Sequence, residues 1–272
     1  MIRVARKDEI DRVLRYLEQD LQMCLYAYID IKKYGTENPN LTVFIQSDEK
    51  TISEENIQCV VMKYYRGLQI YTSNENYDAK ELVTFLQTID FNMINGAEYL
   101  ISSIRRELEG KQEIECETGY VMELKALEWK EDAEITSRIR AVADEEFDEV
   151  AQLICSDQEL GGHYEVKSLS KQLLERRNEK FGRNLALYVD EELACHGATY
   201  AEIEEAAVVS GLITNVCYRG KGYAYQLVGK MCNELLQEGK RVFLFYYNDT
   251  AGRLYKKLGF TNGRVWQKLV LK

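Results

Sequence analysis

The feature that most constrains the fold is an order of sequence patterns that occurs twice along the chain. Each half begins with a short alternating strand and an amphipathic helix, continues with three strand-like runs, and ends with helices and a closing strand. The halves are offset by about 135 residues at the first strand and helix, and the charged segment ALEWKEDAEIT joins them. We expect two domains, residues 1–130 and residues 131–272; a single mixed domain is the alternative.

Strand patterns in the C-terminal half predict the type of sheet. A long helix over about residues 221–238 precedes the near-continuous buried strand RVFLFYY, and RVWQKLVL is expected to be the final strand of that domain. The sequence therefore predicts an α/β (α+β) protein in which each domain has a mixed, mostly antiparallel sheet flanked by helices. The antiparallel part is a meander of three runs joined by acidic turns: NLALYVD, ELACHGATYA and AAVVSGLITNV.

Residues 219–224 read RGKGYA and stand between a strand-like run and the long helix. The first turn of a helix carries N–H groups without intrahelical acceptors and the positive end of the helix dipole, so an anion placed there is bonded by the main chain. Gly220 and Gly222 keep that approach free of side chains, and Arg219 and Lys221 supply charge. The segment predicts a site for an anionic cofactor. Neither the dinucleotide pattern G-x-G-x-x-G nor the P-loop pattern is present.

The charge distribution points to the same segment. The formal net charge of −10 argues against nucleic acid as a partner, because phosphate backbones need an electropositive face. Residues 217–272, however, hold 11 Lys or Arg against 3 Asp or Glu, a net of +8, which leaves 24 against 42, or −18, for residues 1–216. The basic segment begins at the RGKGYA motif, which favours a local anion site.

Cysteine and histidine usage argues against disulfide and metal chemistry. The seven cysteines are odd in number, lie far apart and include no C-x-x-C pair, so we expect reduced thiols. The two histidines, His163 and His196, are interpreted as a loop residue and a strand residue, and we expect no metal site. No segment approaches the roughly 18 to 20 uncharged residues that cross a bilayer, so a cytoplasmic protein without a membrane partner is expected.

The segment from Ser137 to Leu271 resembles the GNAT superfamily of acetyl-coenzyme A dependent acetyltransferases. The superfamily's signature, [QR]-x-x-G-x-[GA] between the fourth strand and the following helix, is matched by residues 219–224. A second pattern, an asparagine, a short helix with a tyrosine and then G-F, follows about 30 residues later. Its matching residues are Asn248, Ala251, Leu254, Tyr255, Gly259 and Phe260.

The resemblance implies that acetyl-coenzyme A (acetyl-CoA) is the cofactor, acting as a co-substrate. Main-chain groups around Gly220 and Gly222 would hold its diphosphate, and the strand end before the motif would pair with the pantetheine amides. Tyr255 would protonate the departing thiolate, and a backbone N–H near Val216 would meet the oxyanion. The implied cofactor-binding residues are Thr214, Asn215, Val216, Arg219, Gly220, Lys221, Gly222, Tyr223, Ala224, Asn248 and Tyr255.

The identity of the general base stays open. Three glutamates in the turn before the motif's strand are candidates to remove the proton from the ammonium group: Glu202, Glu204 and Glu205. Glu202 is the preferred candidate. A solvated acidic turn is the alternative interpretation of these residues. His163, which follows Gly161-Gly162, is a weaker candidate for the base.

The N-terminal half departs from the superfamily pattern at the corresponding position. Between its third strand-like run and the next helix it reads NENYDAK, with two acids and without an arginine or a glycine pair. An anionic diphosphate would be poorly received there. We expect a degenerate, non-catalytic copy, and the whole chain resembles bacterial tandem proteins whose C-terminal half carries the active motif.

The expected function is an N-acetyltransferase that transfers an acetyl group to the amine of a small molecule, by direct attack in a ternary complex. One alternative is an N-acyltransferase of the glycine-conjugating kind, which takes larger acyl groups. A non-catalytic CoA-binding sensor module is the other. The expected partners are acetyl-CoA and an unidentified amine acceptor, in a monomer or a homodimer.

Overall fold

A computed structural model describes residues 1–49, 51–73, 76–108, 113–157, 160, 164–261 and 263–271. The chain divides into two compact units. Unit 1 is Met1–Val121 together with Gly263–Lys272, and unit 2 is Met122–Asn262. Within the described ranges, no helix is long and apolar enough to cross a bilayer.

Unit 1 is built around a mixed sheet. Its strands are β1 (Ile2–Val4), β2 (Leu41–Gln46), β3 (Cys59–Tyr64), β4 (Gly67–Tyr71), β5 (Met93–Ala97), β6 (Ile114–Glu123, which ends just inside unit 2) and β12 (Arg264–Leu271). They lie in the order β1-β2-β3-β4-β5-β12-β6, and every neighbouring pair is antiparallel except β4–β5. Its helices are α1 (Ile10–Glu18), α2 (Leu21–Tyr34), α3 (Ala79–Leu86) and α4 (Glu98–Leu108).

The strands of unit 2 also have a mixed, mostly antiparallel arrangement. Its strands are β7 (Ile139–Ala141), β8 (Asn184–Val189), β9 (Glu192–Glu202), β10 (Ala206–Thr214) and β11 (Arg241–Tyr246). They lie in that order, and all neighbouring pairs are antiparallel except β10–β11, which is parallel. Its helices are α5 (Ala133–Thr136), α6 (Phe147–Cys155), α7 (Val166–Asn178), α8 (Tyr223–Gln237) and α9 (Asp249–Lys257). The mixed, mostly antiparallel strands and the helices that flank them in both units confirm the predicted fold class.

Helices cover both faces of the unit 2 sheet. Leu185 and Leu187 of β8 belong to the core formed with α8, whereas the alternate residue Ala186 belongs to the core formed with α6 and α7. Helix α8 buries the apolar stripe that its sequence predicts, including Leu227, Met231 and other residues at helical spacing. The stripe fixes the axis of α8 against the sheet, and with it the position of the glycine motif at its start.

The final strand differs from the sequence prediction, which placed RVWQKLVL in the sheet of the C-terminal domain. Strand β12 instead pairs along Arg264–Leu271 with β6 and over Trp266–Val270 with β5, and it belongs to unit 1. In unit 2, the neighbour of β11 on the side away from β10 is not β12, and Leu124 N–H donates to the Val242 carbonyl of β11 at 2.9 Å. An apolar pattern predicts that a strand forms, but the strand's partner depends on the path of the chain. Because β12 pairs within unit 1, residues 131–272 are not one compact unit.

Helix α2, strand β5 and the short helix α5 were not predicted from the sequence. Helix α2 carries apolar residues on most of its surface and buries eight of its residues, so it lacks the one-sided periodicity that identifies a helix. Strand β5 reads MINGA, and its asparagine and glycine are poor strand formers. Helix α5 lies in the joining segment, where Asp132 caps it by accepting from Glu134 N–H and Ile135 N–H.

Candidate functional site

The sheet of unit 2 opens where β10 and β11 diverge. The two strands pair in parallel over Ala206–Val209 and Arg241–Leu244. Beyond these pairs the described residues of both strands continue without a ladder between them, to Thr214 in β10 and to Tyr246 in β11. Strands that separate in this way leave main-chain donors and acceptors on facing edges, where an extended ligand can pair with them.

A bulge bends β10 at the point of divergence. The register with β9 shifts between Ser210 and Ile213, and Gly211 has a φ of +61°, which glycine adopts without steric cost. The buried ring of His196 donates from Nδ1 to the Gly211 carbonyl at 3.0 Å, and its Nε2 lies 3.1 Å from the side-chain amide of Asn184. Burial lowers the pKa of His196 to about 4, so the ring is neutral and braces the bulge.

The segment after β10 is fixed by its own side chains. Asn215 Oδ1 accepts from Cys217 N–H at 3.1 Å, and the Asn215 carbonyl accepts from Tyr218 N–H at 2.8 Å, which forms a tight turn. Arg219 Nε donates to the Thr214 carbonyl at 3.1 Å. Val216 is 73% exposed at the tip of this turn. The predicted residues Thr214, Asn215, Val216 and Arg219 therefore form one ordered connection between the open strand edge and α8.

Gly220 and Gly222 create open space at the start of α8. Their φ angles are +80° and +81°, and a Cβ atom built on either glycine would meet no other atom within 4 Å. Gly222 is the N-cap of α8 and provides no side-chain cap, so the N–H groups of the first turn, which begins at Tyr223 and Ala224, have no side-chain acceptor at the cap. Main-chain donors, the positive end of the helix and free space coincide here, as an anion site requires.

Charged and aromatic side chains surround the glycines. Arg219 Nη2 lies 3.5 Å from the carboxylate of Asp157, and Lys221 Nζ lies 5.0 Å from the centre of the Tyr218 ring. The Tyr218 hydroxyl donates to Glu192 Oε2 at 2.5 Å, which ties the turn to the start of β9. Both predicted cations thus lie beside the glycines. Lys221 is held by an aromatic ring, where its ammonium stays available to an anion.

Tyr255 and Asn248 lie on and before α9. Asn248 caps the helix, with Oδ1 accepting from Ala251 N–H at 2.9 Å. Tyr255 is buried, and its ring packs edge-on against Tyr246 at 6.2 Å and against Phe260 at 5.9 Å. Burial raises the pKa of Tyr255 above its ordinary value, so the hydroxyl is neutral and carries its proton at pH 7.

The structure places Glu202 in an ion-pair network at the far end of the β9–β10 hairpin. Arg183 donates to it from Nε at 3.0 Å and from Nη2 at 2.5 Å, and the Thr199 hydroxyl donates at 2.7 Å. Glu202 pairs in register with Ala207, so the length of β10, roughly 20 Å, separates it from Thr214. Glu202 is therefore a structural carboxylate, and we assign it no catalytic role; Glu204 and Glu205 follow it in the same turn.

The joining segment is attached to α8 by contacts that were not predicted from the sequence. Trp129 Nε1 donates to Gln226 Oε1 at 2.9 Å, and Gln226 Nε2 donates to the Lys130 carbonyl at 3.1 Å. The indole packs against Gly229, where an added Cβ would lie 2.3 Å from the ring. A tryptophan in a charged segment and a glycine inside a helix were the available signals for this contact. The contact holds α8 in place behind the glycine motif.

Two further sequence predictions concern His163 and metal binding. His163, with Gly161 and Gly162, lies outside the described residues. Among the residues that the structure describes, no group of three or more His, Cys, Asp or Glu side chains is arranged to hold a metal ion.

Part of the C-terminal half is similar in sequence to a known protein family. A family model described as FR47-like protein matches residues 197–269, which contain the divergent strands, the glycine motif and Tyr255. No curated protein matches the chain.

Comparison with solved structures covers the whole chain. A Drosophila protein of 12% sequence identity superposes with a TM-score of 0.72, covering 100% of this chain and 98% of the other. A tandem GNAT protein from the clavulanic acid biosynthesis pathway, 12% identical, has a TM-score of 0.58 and covers 100% and 98%. A GCN5-related N-acetyltransferase from Sphaerobacter thermophilus, 13% identical, has a TM-score of 0.59 and covers 100% and 95%. At these identities the similarity concerns the fold.

Proposed function

For a chain of the tandem GNAT type with an FR47-like segment in its C-terminal half, we propose that unit 2 binds acetyl-CoA and transfers its acetyl group to an amine. The observation that carries the proposal is the conformation of Gly220 and Gly222, with open space beside them at the start of α8. This space lies directly after the strand edge that leaves β11. An anionic head group and an extended amide-containing arm match these two adjacent features.

The residues fit a diphosphate. The helix offers main-chain N–H groups and a positive dipole end, and Arg219 and Lys221 add charge within a segment of net charge +8. The cofactor supplies an activated thioester when bound. The unpaired edge of β10, from Ser210 to Thr214, would hydrogen-bond the pantetheine amides, and the hydroxyl of Tyr255 would lie near the sulfur.

In the proposed reaction, the amine nitrogen attacks the thioester carbonyl carbon, a C–N bond forms, and the C–S bond breaks. Tyr255 gives its proton to the departing sulfur and regains one from solvent, and the nitrogen loses a proton to solvent. The raised pKa keeps Tyr255 protonated until charge develops on the sulfur. The Tyr246 and Phe260 rings fix the orientation of the Tyr255 side chain.

Unit 1 is proposed to bind no acetyl-CoA, because the equivalent positions are already filled. At the end of β4, the Tyr99 hydroxyl donates to the Thr72 carbonyl at 3.1 Å, and Ser73 N–H donates to the Tyr16 hydroxyl at 2.9 Å. The start of α3 has an acidic cap, since Asp78 Oδ1 accepts from Glu81 N–H at 2.9 Å. A carboxylate at the helix start repels a diphosphate and occupies one of the donors it would need.

A non-catalytic CoA-binding module is the second candidate function. The ion pairs of Glu202 favour this candidate function, because they give the preferred candidate for the general base a structural role. The two candidates share a binding site and differ in turnover.

Calorimetric titration of the full chain with acetyl-CoA, followed by detection of free thiol in the presence of an amine panel, tests the proposal. We expect one acetyl-CoA per chain and thiol release that depends on an amine. Binding without amine-dependent thiol release would favour the non-catalytic module. A stoichiometry of two would contradict the proposed loss of binding in unit 1, and no binding would contradict the proposal as a whole.

A further inference from the structure

Two bulges face each other at the point where β10 leaves β11. In β9, Tyr200 is the extra residue between the pairs formed by Ala201 and Thr199 with consecutive residues of β10. In β10, the register shifts again between Ser210 and Ile213, around Gly211. Paired irregularities of this kind re-aim side chains at the edge of a site.

The Tyr200 side chain lies over the glycine of the second bulge. A Cβ atom on Gly211 would be 2.8 Å from the Tyr200 hydroxyl oxygen, so only the missing side chain admits the ring. Tyr200 packs against the core formed with α6 and α7, which is the face of the sheet opposite α8. The Tyr200 side chain is half-buried, and its hydroxyl forms no hydrogen bond with any residue that the structure describes. The Tyr200 hydroxyl oxygen therefore lies near Gly211, close to the point where β10 and β11 diverge.

Arg176 covers the same ring. Its guanidinium carbon lies 4.9 Å from the centre of the Tyr200 ring, and the residue is half-buried on α7. No ion pair joins Arg176 to any residue that the structure describes, although the chain has 45 Asp and Glu against 35 Lys and Arg. The next residue, Arg177, pairs with Asp144 and lies 5.4 Å from the Phe147 ring. A half-buried guanidinium without a carboxylate partner is a ready site for an external anion.

We propose that the Arg176 guanidinium and the Tyr200 hydroxyl bind a carboxylate of the acceptor, so that the acceptor is an amino acid or another amine with a nearby carboxylate. This inference rests on the proposed function. A planar guanidinium binds a carboxylate through two parallel N–H donors, and the tyrosine hydroxyl adds a third donor. The residues lie on the α6–α7 face, apart from the glycine motif at the start of α8, so acceptor and cofactor would be held by different groups.

The test measures binding of product analogues, which needs no turnover. The protein is first titrated with CoA, and the complex is then titrated with N-acetylglycine, N-acetylleucine, N-acetylphenylalanine and N-acetylglutamate, each as the free acid and as the α-carboxamide. For at least one of the four pairs, the acid should bind about 10- to 100-fold more tightly than the amide, the effect of one hydrogen-bonded charge pair. Arg176→Gln should abolish this preference and leave the CoA affinity unchanged.

Two further variants separate the site from general effects. Arg177→Gln removes the same charge from the adjacent position and should keep the preference for acids. Tyr200→Phe keeps the ring over Gly211, removes one donor, and should reduce acid binding by about 3- to 10-fold. Equal binding of acids and amides in every pair would overturn the inference, as would an equal effect of the Arg176 and Arg177 variants.

Failure of the proposed function is a separate outcome. If CoA does not bind, the acetyl-CoA proposal fails, and the same acids and amides are titrated into the free protein. A preference for an acid that Arg176→Gln abolishes would then still support the carboxylate site. Equal binding of acids and amides there would overturn it.

Discussion

The elements from β1 to α4 in unit 1 follow the same order as those from β7 to α9 in unit 2, but the two units differ at the start of one helix. In both, an arginine of the first strand holds a glutamate two-fold: Arg3 contacts Glu9 at 2.8 and 2.7 Å, and Arg140 contacts Glu146 at 2.7 and 2.5 Å. Each glutamate also accepts from the backbone N–H three residues before it. These contacts belong to the fold, because both units keep them.

The helix after the fourth strand of each unit differs in its cap. Asp78 places a carboxylate at the start of α3, whereas Gly222 leaves the start of α8 open. At the strand ends, tyrosine hydroxyls satisfy Thr72 and Ser73 in unit 1, whereas β10 leaves its edge beside an opening. The comparison teaches that the same order of strands and helices can present different hydrogen-bonding groups at the start of one helix.

The largest expected effect concerns the glycine that distinguishes the two units. Gly222→Gln should lower the affinity for acetyl-CoA by at least about 100-fold, because a side chain would occupy the diphosphate site and cost two or more main-chain bonds to a charged group. Gly239→Gln is the matched control, since Gly239 has a φ of +79° and equally open space beyond the end of α8. Both variants carry the same backbone strain. Equal affinities in calorimetry would contradict the assignment of the site.

The second prediction compares a tyrosine hydroxyl in each unit. Tyr255→Phe keeps the packing with Tyr246 and Phe260 and should lower kcat by roughly 100-fold, the scale of a lost general acid, with little change in KM for acetyl-CoA. The effect should shrink as the pH approaches about 8 to 9, where a thiolate leaves without a proton. Tyr71→Phe is the control in unit 1: it removes a buried hydroxyl that has no hydrogen-bond partner among the described residues, and it should leave kcat unchanged. Unchanged turnover in the Tyr255 variant, with chemistry rate-limiting, would make that residue packing only.

The third prediction concerns the two equivalent ion pairs. Glu9 is fully buried and Glu146 has an exposed side-chain fraction of 18%, so Glu9→Gln should destabilise unit 1 more than Glu146→Gln destabilises unit 2. We expect losses of about 2 and about 1 kcal/mol in the free energy of unfolding. The chain has two tryptophans, with Trp266 in unit 1 and Trp129 in unit 2, so urea unfolding of single-tryptophan variants reports each unit separately. Equal losses would show that burial does not set the difference.

The smallest expected effect is the pH dependence of the Glu146 pair. Hydrogen bonds from Arg140 lower the pKa of Glu146 from 4.5 to about 2 in the folded protein. Because the pKa of Glu146 is lower in the folded than in the unfolded protein, the pair's contribution to the free energy of unfolding is complete above pH 4.5 and is lost as the pH falls toward 2. The stability difference between wild type and Glu146→Gln should therefore narrow between pH 5.5 and pH 3, by less than about 1 kcal/mol. A difference that stays constant over this range would contradict the pairing.

Much of the candidate site could be predicted from the sequence because it is local. The glycines, Arg219 and Lys221 are neighbours in sequence, and the apolar stripe of α8 determines that they precede a helix. The resemblance to the tandem GNAT type is confirmed for the fold by the solved structures and by the match over residues 197–269. The roles assigned to the individual residues remain predictions.

Residues that act through distant partners could not be predicted. Glu202 looked like a free acid in a turn, but Arg183 and Lys240 converge on it from other elements. Tyr200 and Gly211 had no pattern of their own, since each matters through a bulge that forms only when β9 and β10 pair. Trp129 lies in a charged joining segment, and its contact with Gly229, 100 positions later in the chain, has no local sequence signal.

The sequence by itself determined most of the strands and helices, where α8 begins, and that two glycines and two cations stand before it, because periodicity and glycine conformation are properties of adjacent residues. Tertiary structure alone decided that β12 pairs within unit 1, that β10 and β11 separate after Val209, and that the Tyr200 side chain lies against both Gly211 and Arg176. Those outcomes depend on strand register and side-chain packing between residues far apart in the chain, and no local pattern encodes the choice among competing partners.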